Sequence, residues 1–93
     1  MDTNDIRMHC LHANGKLVDI SKHAANAMQN ERPPLTPFDV VDALEQPDLV
    51  AVDGPRRAAW KRVGGRSLIV RYLETQEEYD VRTVSCTRAR PPL

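Results

Sequence analysis

Apolar residues follow a helical spacing between about Ser21 and Gln46 and a two-residue alternation beyond Leu49. The first part of the chain reads as a hairpin and two helices. Residues 5–12 and 16–20 are extended segments flanking Ala13-Asn14-Gly15, and Asn-Gly favours the positive φ angles of a tight hairpin turn. Ser21 has the hydroxyl that caps a helix start. Residues 22–32 follow with Ala24, Ala25, Ala27 and Met28 and without glycine or proline, which predicts a first helix. Pro33-Pro34 ends it, because proline lacks a donor and restricts its predecessor. Thr36-Pro37-Phe38-Asp39 is a second start signal: a capping threonine, a proline at the first helical position, and an acid at the positive end of the helix dipole. Phe38, Val41 and Leu44, with Val40 beside them, mark an apolar face, and Pro47 closes this second helix at 46.

The rest reads as strands. Residues 49–53 form a β-rich run that ends in the turn Asp53-Gly54-Pro55, and 56–63 lead to a second turn at Gly64-Gly65. Within 66–73, Leu68, Val70 and Tyr72 alternate with Ile69, Arg71 and Leu73. Within 79–87, Tyr79, Val81, Thr83 and Ser85 alternate with Asp80, Arg82, Val84 and Cys86. Helices grouped ahead of a meander predict an α+β fold. Its N-terminal β-hairpin and two helices would pack on one face of a four-stranded antiparallel sheet. Met28, Phe38, Val41, Leu44, Leu68, Val70 and Val81 are the expected core. One domain is expected over 1–87, with 88–93 as a flexible tail.

Composition narrows the class. With 93 residues there is room for one domain only, and 41% hydrophobic against 28% charged residues is the balance of a folded soluble protein. Four aromatic residues imply an aliphatic core without a broad platform for stacking bases. No apolar run approaches the ~20 residues that span a bilayer, and no basic-then-apolar leader opens the sequence. A cytoplasmic protein without a membrane partner is expected. Two cysteines are too few for a disulfide scaffold.

The net charge of zero conceals an asymmetry. Residues 1–55 hold four basic and nine acidic side chains, while residues 56–93 hold nine basic and four acidic. Arg56, Arg57, Lys61, Arg62, Arg66 and Arg71 lie in a stretch free of acids. Segregated charge of this kind creates a local field. It serves either an anion-binding face or a solvated strand surface paired with the acidic half.

From Ile20 to Cys86 the chain resembles the small bacterial and phage domains related to RelE-type toxins, within the wider barnase, EndoU, colicin and RelE superfamily of ribonuclease folds. The resemblance rests on four pieces in order. His23 opens the first helix, and Arg32 stands at its end before Val40-Val41-Asp42-Ala43-Leu44 and Gln46-Pro47-Asp48. A strand with Trp60-Lys61-Arg62-Val63 precedes Gly64-Gly65-Arg66. Leu68-Ile69-Val70 and the strand containing Val81-Arg82-Thr83-Val84 complete the pattern. The family often carries arginine one helical turn after the histidine, where this chain has Ala27, and Pro33-Pro34-Leu35 replaces its usual Gly-Ile junction.

The resemblance implies a metal-independent endoribonuclease of toxin type that cleaves mRNA through attack of the 2′-hydroxyl, without a cofactor. RNA or the ribosome and a cognate antitoxin are the implied partners. Such cleavage needs proton transfer at the 2′-hydroxyl and at the leaving 5′-oxygen, and a cation beside the developing charge. Histidine suits the first task and arginine, with its rigid two-oxygen fork, the second. The candidate catalytic residues are therefore His23, Arg66, Arg71 and Thr83. Lys22, Arg32, Arg56, Arg57, Trp60, Lys61, Arg62 and Arg82 are the candidate RNA-binding residues. Each also has a structural reading. His23 can be a polar first-turn residue, Arg32 a helix cap, Trp60 a packing residue, and Arg71, Arg82 and Thr83 ordinary exposed strand positions. A non-catalytic partner-binding module of a phage or mobile element, and an oligomer joined through edge strands, are the alternative functions. His9, Cys10, His12 and Cys86 include metal-ligand types, but their spacing matches no standard zinc module. No metal site is expected, and Cys86 reads as a small apolar residue.

Overall fold

The structure is a computed structural model and describes residues 11–92. Eight elements follow in order: β1 (His12–Ala13), β2 (Lys16–Ile20), α1 (Lys22–Asn30), α2 (Pro37–Glu45), β3 (Leu49–Asp53), β4 (Arg56–Val63), β5 (Arg66–Glu74) and β6 (Glu78–Thr87). The six strands form one sheet in the order β1-β2-β6-β5-β4-β3. The sheet is mixed, because β2 runs parallel to β6, with Leu17 opposite Glu78 and Ile20 opposite Val81. This corrects the expectation of a four-stranded antiparallel sheet with a separate hairpin. The hairpin is part of the sheet. The segment between β2 and β6 carries both helices and three strands, so the chain returns to β2 from far away. Alternation within β2 cannot reveal that partner. The expected extended segment over 5–12 lies outside the described residues except at Leu11 and His12.

Local signals explain where the elements begin and end. Asn14 and Gly15 adopt positive φ angles of 53° and 78° in the β1–β2 turn, the conformation that two-residue hairpin loops require. The Asn14 amide donates to the Leu44 carbonyl at 3.1 Å and to the Tyr79 hydroxyl at 2.9 Å, tying the turn to the end of α2 and to β6. Ser21 caps α1 by accepting from the Ala24 N–H at 3.0 Å. The helix stops at Asn30, earlier than expected, because Glu31 is already extended ahead of the Arg32–Pro33 step. At α2, Thr36 and Asp39 form a reciprocal capping box around Pro37. Lys61 on β4 donates to the Gln46 carbonyl at 2.8 Å, placing a cation at the C-terminal end of α2.

One core lies between the helices and the sheet. Ala24 and Met28 of α1 and Val40, Ala43 and Leu44 of α2 join Val18, Ile20, Ala59, Leu68, Val70, Tyr72, Tyr79, Val81 and Val84 in a single buried cluster. Phe38 does not belong to it. It is 78% exposed, and Val41 is only partly buried. Leu44 is shared by two possible helical stripes, 38–41–44 and 40–43–44, and packing selects the second. Phe38→Ser should accordingly shift stability by no more than about 0.5 kcal/mol in urea unfolding, as for surface positions without special contacts.

The sheet register contains one irregularity, and it decides which residues share a face. Arg71 lies opposite Thr83, but the next residue, Tyr72, lies opposite Val81. Arg82 is the extra residue of a β-bulge. The bulge reverses the alternation of β6, so that Tyr79 and Val81 before it and Val84 after it all face the helices. This corrects the expectation that Val81 and Thr83 share one side with Val84 on the other. Thr83 instead lies on the open face with Arg71.

Candidate functional site

The cross-strand register carries several candidate residues to the sheet face opposite the helices. On β4, Arg56, Ala58, Trp60 and Arg62 alternate with the core residue Ala59. On β5, Ile69, Arg71 and Leu73 alternate with Leu68, Val70 and Tyr72. Ala58 sits opposite Arg71, which sits opposite Thr83, so one row crosses three strands.

The N-terminus of α1 borders this row. The Ser21 N–H donates to the Val81 carbonyl at 3.0 Å, and the Ser21 hydroxyl lies 3.1 Å from the Arg82 carbonyl. One serine thus caps the helix and fastens its first turn beside the bulge. His23, exposed in that turn, is held next to Arg82 and Thr83 as a consequence. The result is a cavity of about 660 Å³ lined by Ser21, His23, Arg56, Arg57, Arg71, Arg82 and Thr83, with the β3 residues Ala51, Val52 and Asp53 along its far wall. That volume lies within the usual range for small-ligand pockets.

The lining is strongly basic. Among the described residues Arg56, Arg57 and Arg71 form no ion pair, and Asp53 is the only acid in the lining. Arg57 donates to the Gly54 carbonyl at 2.9 Å, and Arg71 lies 3.4 Å from the Ser85 hydroxyl. Arg82 is oriented by Asp80, whose carboxylate receives its Nε at 2.9 Å. The Thr83 hydroxyl is shielded from solvent and has no hydrogen-bond partner among the described residues. A shielded hydroxyl without a partner is costly, and a ligand oxygen in the cavity would relieve that cost. The Tyr72 phenol is pushed above its ordinary range by burial and then by the Glu74 carboxylate, so it stays protonated and cannot act as a base near neutrality.

The other sequence candidates lie elsewhere or have structural partners. Arg66 opens β5 at the Gly64-Gly65 turn, outside the cavity lining, and its charge acts on Cys86. Lys22 is exposed at the start of α1 without lining the cavity. Arg32 donates to the Gln29 and Glu31 carbonyls at 3.0 Å each, at the end of α1. Lys61 is committed to the end of α2. Arg62 donates to the Ser67 hydroxyl at 3.2 Å, and Ser67 in turn holds the Ala89 carbonyl at 2.7 Å, which ties the C-terminal segment to the open face. Trp60 is half-buried opposite Leu49 and Ile69.

His9 and Cys10 lie outside the described residues. His12 on β1 is separated from Cys86 on β6 by the whole of β2, so the strands carrying them are not neighbours. Burial pushes the half-buried Cys86 thiol up, which keeps it neutral where it packs against the edge of the core. Among the described residues no group of three or more His, Cys, Asp or Glu side chains is placed to hold a metal ion, and no helix is long and apolar enough to cross a membrane.

Two contributions to the cavity escaped the sequence reading. The wall from β3 depends on strand order, which alternation does not encode. The pairing of Asp80 with Arg82 did have a signal, since the two are opposite charges two residues apart on a strand. Comparison with known protein families, curated proteins and solved structures finds no match for this chain.

Proposed function

We propose that the cavity bordered by α1, β4, β5 and β6 binds RNA phosphates and cleaves RNA by a metal-independent, RelE-like mechanism. The observation that carries this reading is the convergence of His23 with four arginines, three of them without an ion-pair partner among the described residues, in one concavity. Arginine forks bind phosphate oxygens in pairs and remain charged at any working pH.

In this reading the 2′-hydroxyl attacks its own phosphorus and the bond to the 5′-oxygen breaks. The products are a 2′,3′-cyclic phosphate and a free 5′-hydroxyl. The proton lost from the 2′-oxygen and the proton gained by the 5′-oxygen balance, and His23 carries one of these transfers. Arg71 neutralises the charge that builds on the non-bridging oxygens, and the unpartnered Thr83 hydroxyl donates to one of them. Arg56, Arg57 and Arg82 hold the flanking phosphates. Ala27 contributes no cation, so the strands supply them all.

Binding that rests on phosphates weakens steeply with salt, because each neutralised phosphate releases counterions. A fluorescent single-stranded RNA should therefore lose affinity by at least about tenfold between 50 and 200 mM salt. The double variant Arg56→Ala, Arg71→Ala should flatten that slope, and an unchanged slope would remove the cavity from RNA binding. A partner-binding module would instead leave RNA unbound at low salt.

A further inference from the structure

The sheet face that carries the Ala58, Arg71 and Thr83 row continues past the cavity toward the other end of β5. The next row across the strands is Leu49, Trp60, Ile69 and Ser85, and the row after it holds Arg62, Ser67 and Thr87. Ser67 is the one buried polar residue among those described. Its hydroxyl receives the Arg62 guanidinium at 3.2 Å and donates to the Ala89 carbonyl at 2.7 Å. The Ala89 N–H in turn donates to the Thr87 hydroxyl at 3.2 Å. A single buried serine thus anchors both an arginine and the segment after β6 on the open face. Arg88 and Arg90 stand on either side of that anchor. Both are exposed, and among the described residues neither they nor Arg62 form an ion pair. Asp48, which is bonded to Arg62, takes its backbone N–H at 2.7 Å and not its guanidinium.

We infer that an RNA strand held at the cavity continues along the open face, over Trp60, to a second phosphate-binding patch formed by Arg62, Arg88 and Arg90. This rests on the RNA reading of the cavity and extends it. From Arg71 to Ser67 the path along β5 covers about 13 Å, at the usual rise of an extended strand. That is too far for one phosphate to touch both patches and short enough for a few nucleotides. Arg71 leans along this path, with its guanidinium 3.4 Å from the Ser85 hydroxyl. Trp60 is half-buried in the row between the patches and is the only tryptophan of the chain. Cations at both ends with an aromatic ring between them match a single strand, whose phosphates recur regularly and whose bases stack on an aromatic face whatever their sequence. An acidic peptide would complement the arginines but offers nothing to stack on Trp60.

Binding of a dinucleotide and of an RNA of about ten nucleotides, followed by an end label and by Trp60 emission, tests this. The longer RNA should bind at least about tenfold more tightly and quench the tryptophan, whereas the dinucleotide should leave the emission as it was. Arg88→Ala and Arg90→Ala together should weaken the longer RNA at least about tenfold. They should also lower the slope of log affinity against log salt by about 1.4, the value for two phosphates of a single strand. Arg66→Ala removes a charge from the same end of β5 on the opposite face and should change neither quantity, and circular dichroism controls for the fold. A longer RNA that binds no better than the dinucleotide, an unquenched Trp60, or an unchanged slope in the double variant overturns the path and leaves the cavity reading standing. An oligoglutamate peptide that binds as tightly as the longer RNA assigns the patch to acidic protein segments and overturns it too. Failure of both RNAs to bind at low salt removes the cavity reading, and the path with it.

Discussion

His23→Ala should lower RNA cleavage by about 10²–10⁴-fold, the usual worth of a positioned acid or base. The expected loss lies in kcat, with RNA affinity nearly unchanged, because phosphate binding belongs to the arginines. The fold should be indifferent to the change. His23 is exposed in the first turn of α1, and that helix is held by Ala24 and Met28 in the core and by Ser21 at its cap. Cleavage measured under single-turnover conditions, with circular dichroism as the control, separates the two effects. Retained cleavage would take His23 out of the mechanism. Loss of helix signal would mean that the residue serves the fold.

Leu68→Ala should destabilise the domain by about 2–5 kcal/mol, the range for truncating a buried leucine. Leu68 is among the largest fully buried side chains and lies on the central strand β5, between Lys61 of β4 and Cys86 of β6. Its side chain fills the space under the helices, and its removal leaves a cavity that flanking strands on both sides keep from collapsing. For a domain of this size each kcal/mol corresponds to roughly 4–8 °C in Tm, so thermal unfolding should drop by about eight degrees or more. A shift of one or two degrees would mean that the helices are not packed on β5 as described.

Much of the secondary structure was legible because its signals are local. Ser21, Pro33, Thr36 and Pro47 bracket both helices, and Asn14-Gly15, Gly54-Pro55 and Gly64-Gly65 mark the turns between strands. What could not be read was non-local. Nothing in Lys16–Ile20 states that its partner is Glu78–Val81, some sixty residues on, so the parallel pairing and the six-stranded order were missed.

The bulge at Arg82 was missed for a different reason. Strict alternation was assumed through 79–87, although Val81 and Val84 stand three apart, a spacing that places both in the core only if one residue is extruded. The candidate site was partly legible on the same terms. Residue type singled out His23 and Arg71, and the family resemblance added Arg82 and Thr83, but alternation alone would have put Thr83 with the core residue Val81. The bulge turns Thr83 to the open face with Arg71, and the Ser21 hydrogen bonds bring His23 alongside. Arg66 looked equivalent to Arg71 by charge and lies outside the lining, because it belongs to the opposite end of the same strand.

Cleavage of an end-labelled RNA by the purified chain in EDTA, beside the same RNA carrying 2′-O-methyl groups, tests the central claim most directly. The account predicts that the unmodified RNA is cut to fragments whose masses carry a 2′,3′-cyclic phosphate, while the methylated RNA stays intact. Uncut RNA, or equal cutting of both, would contradict it.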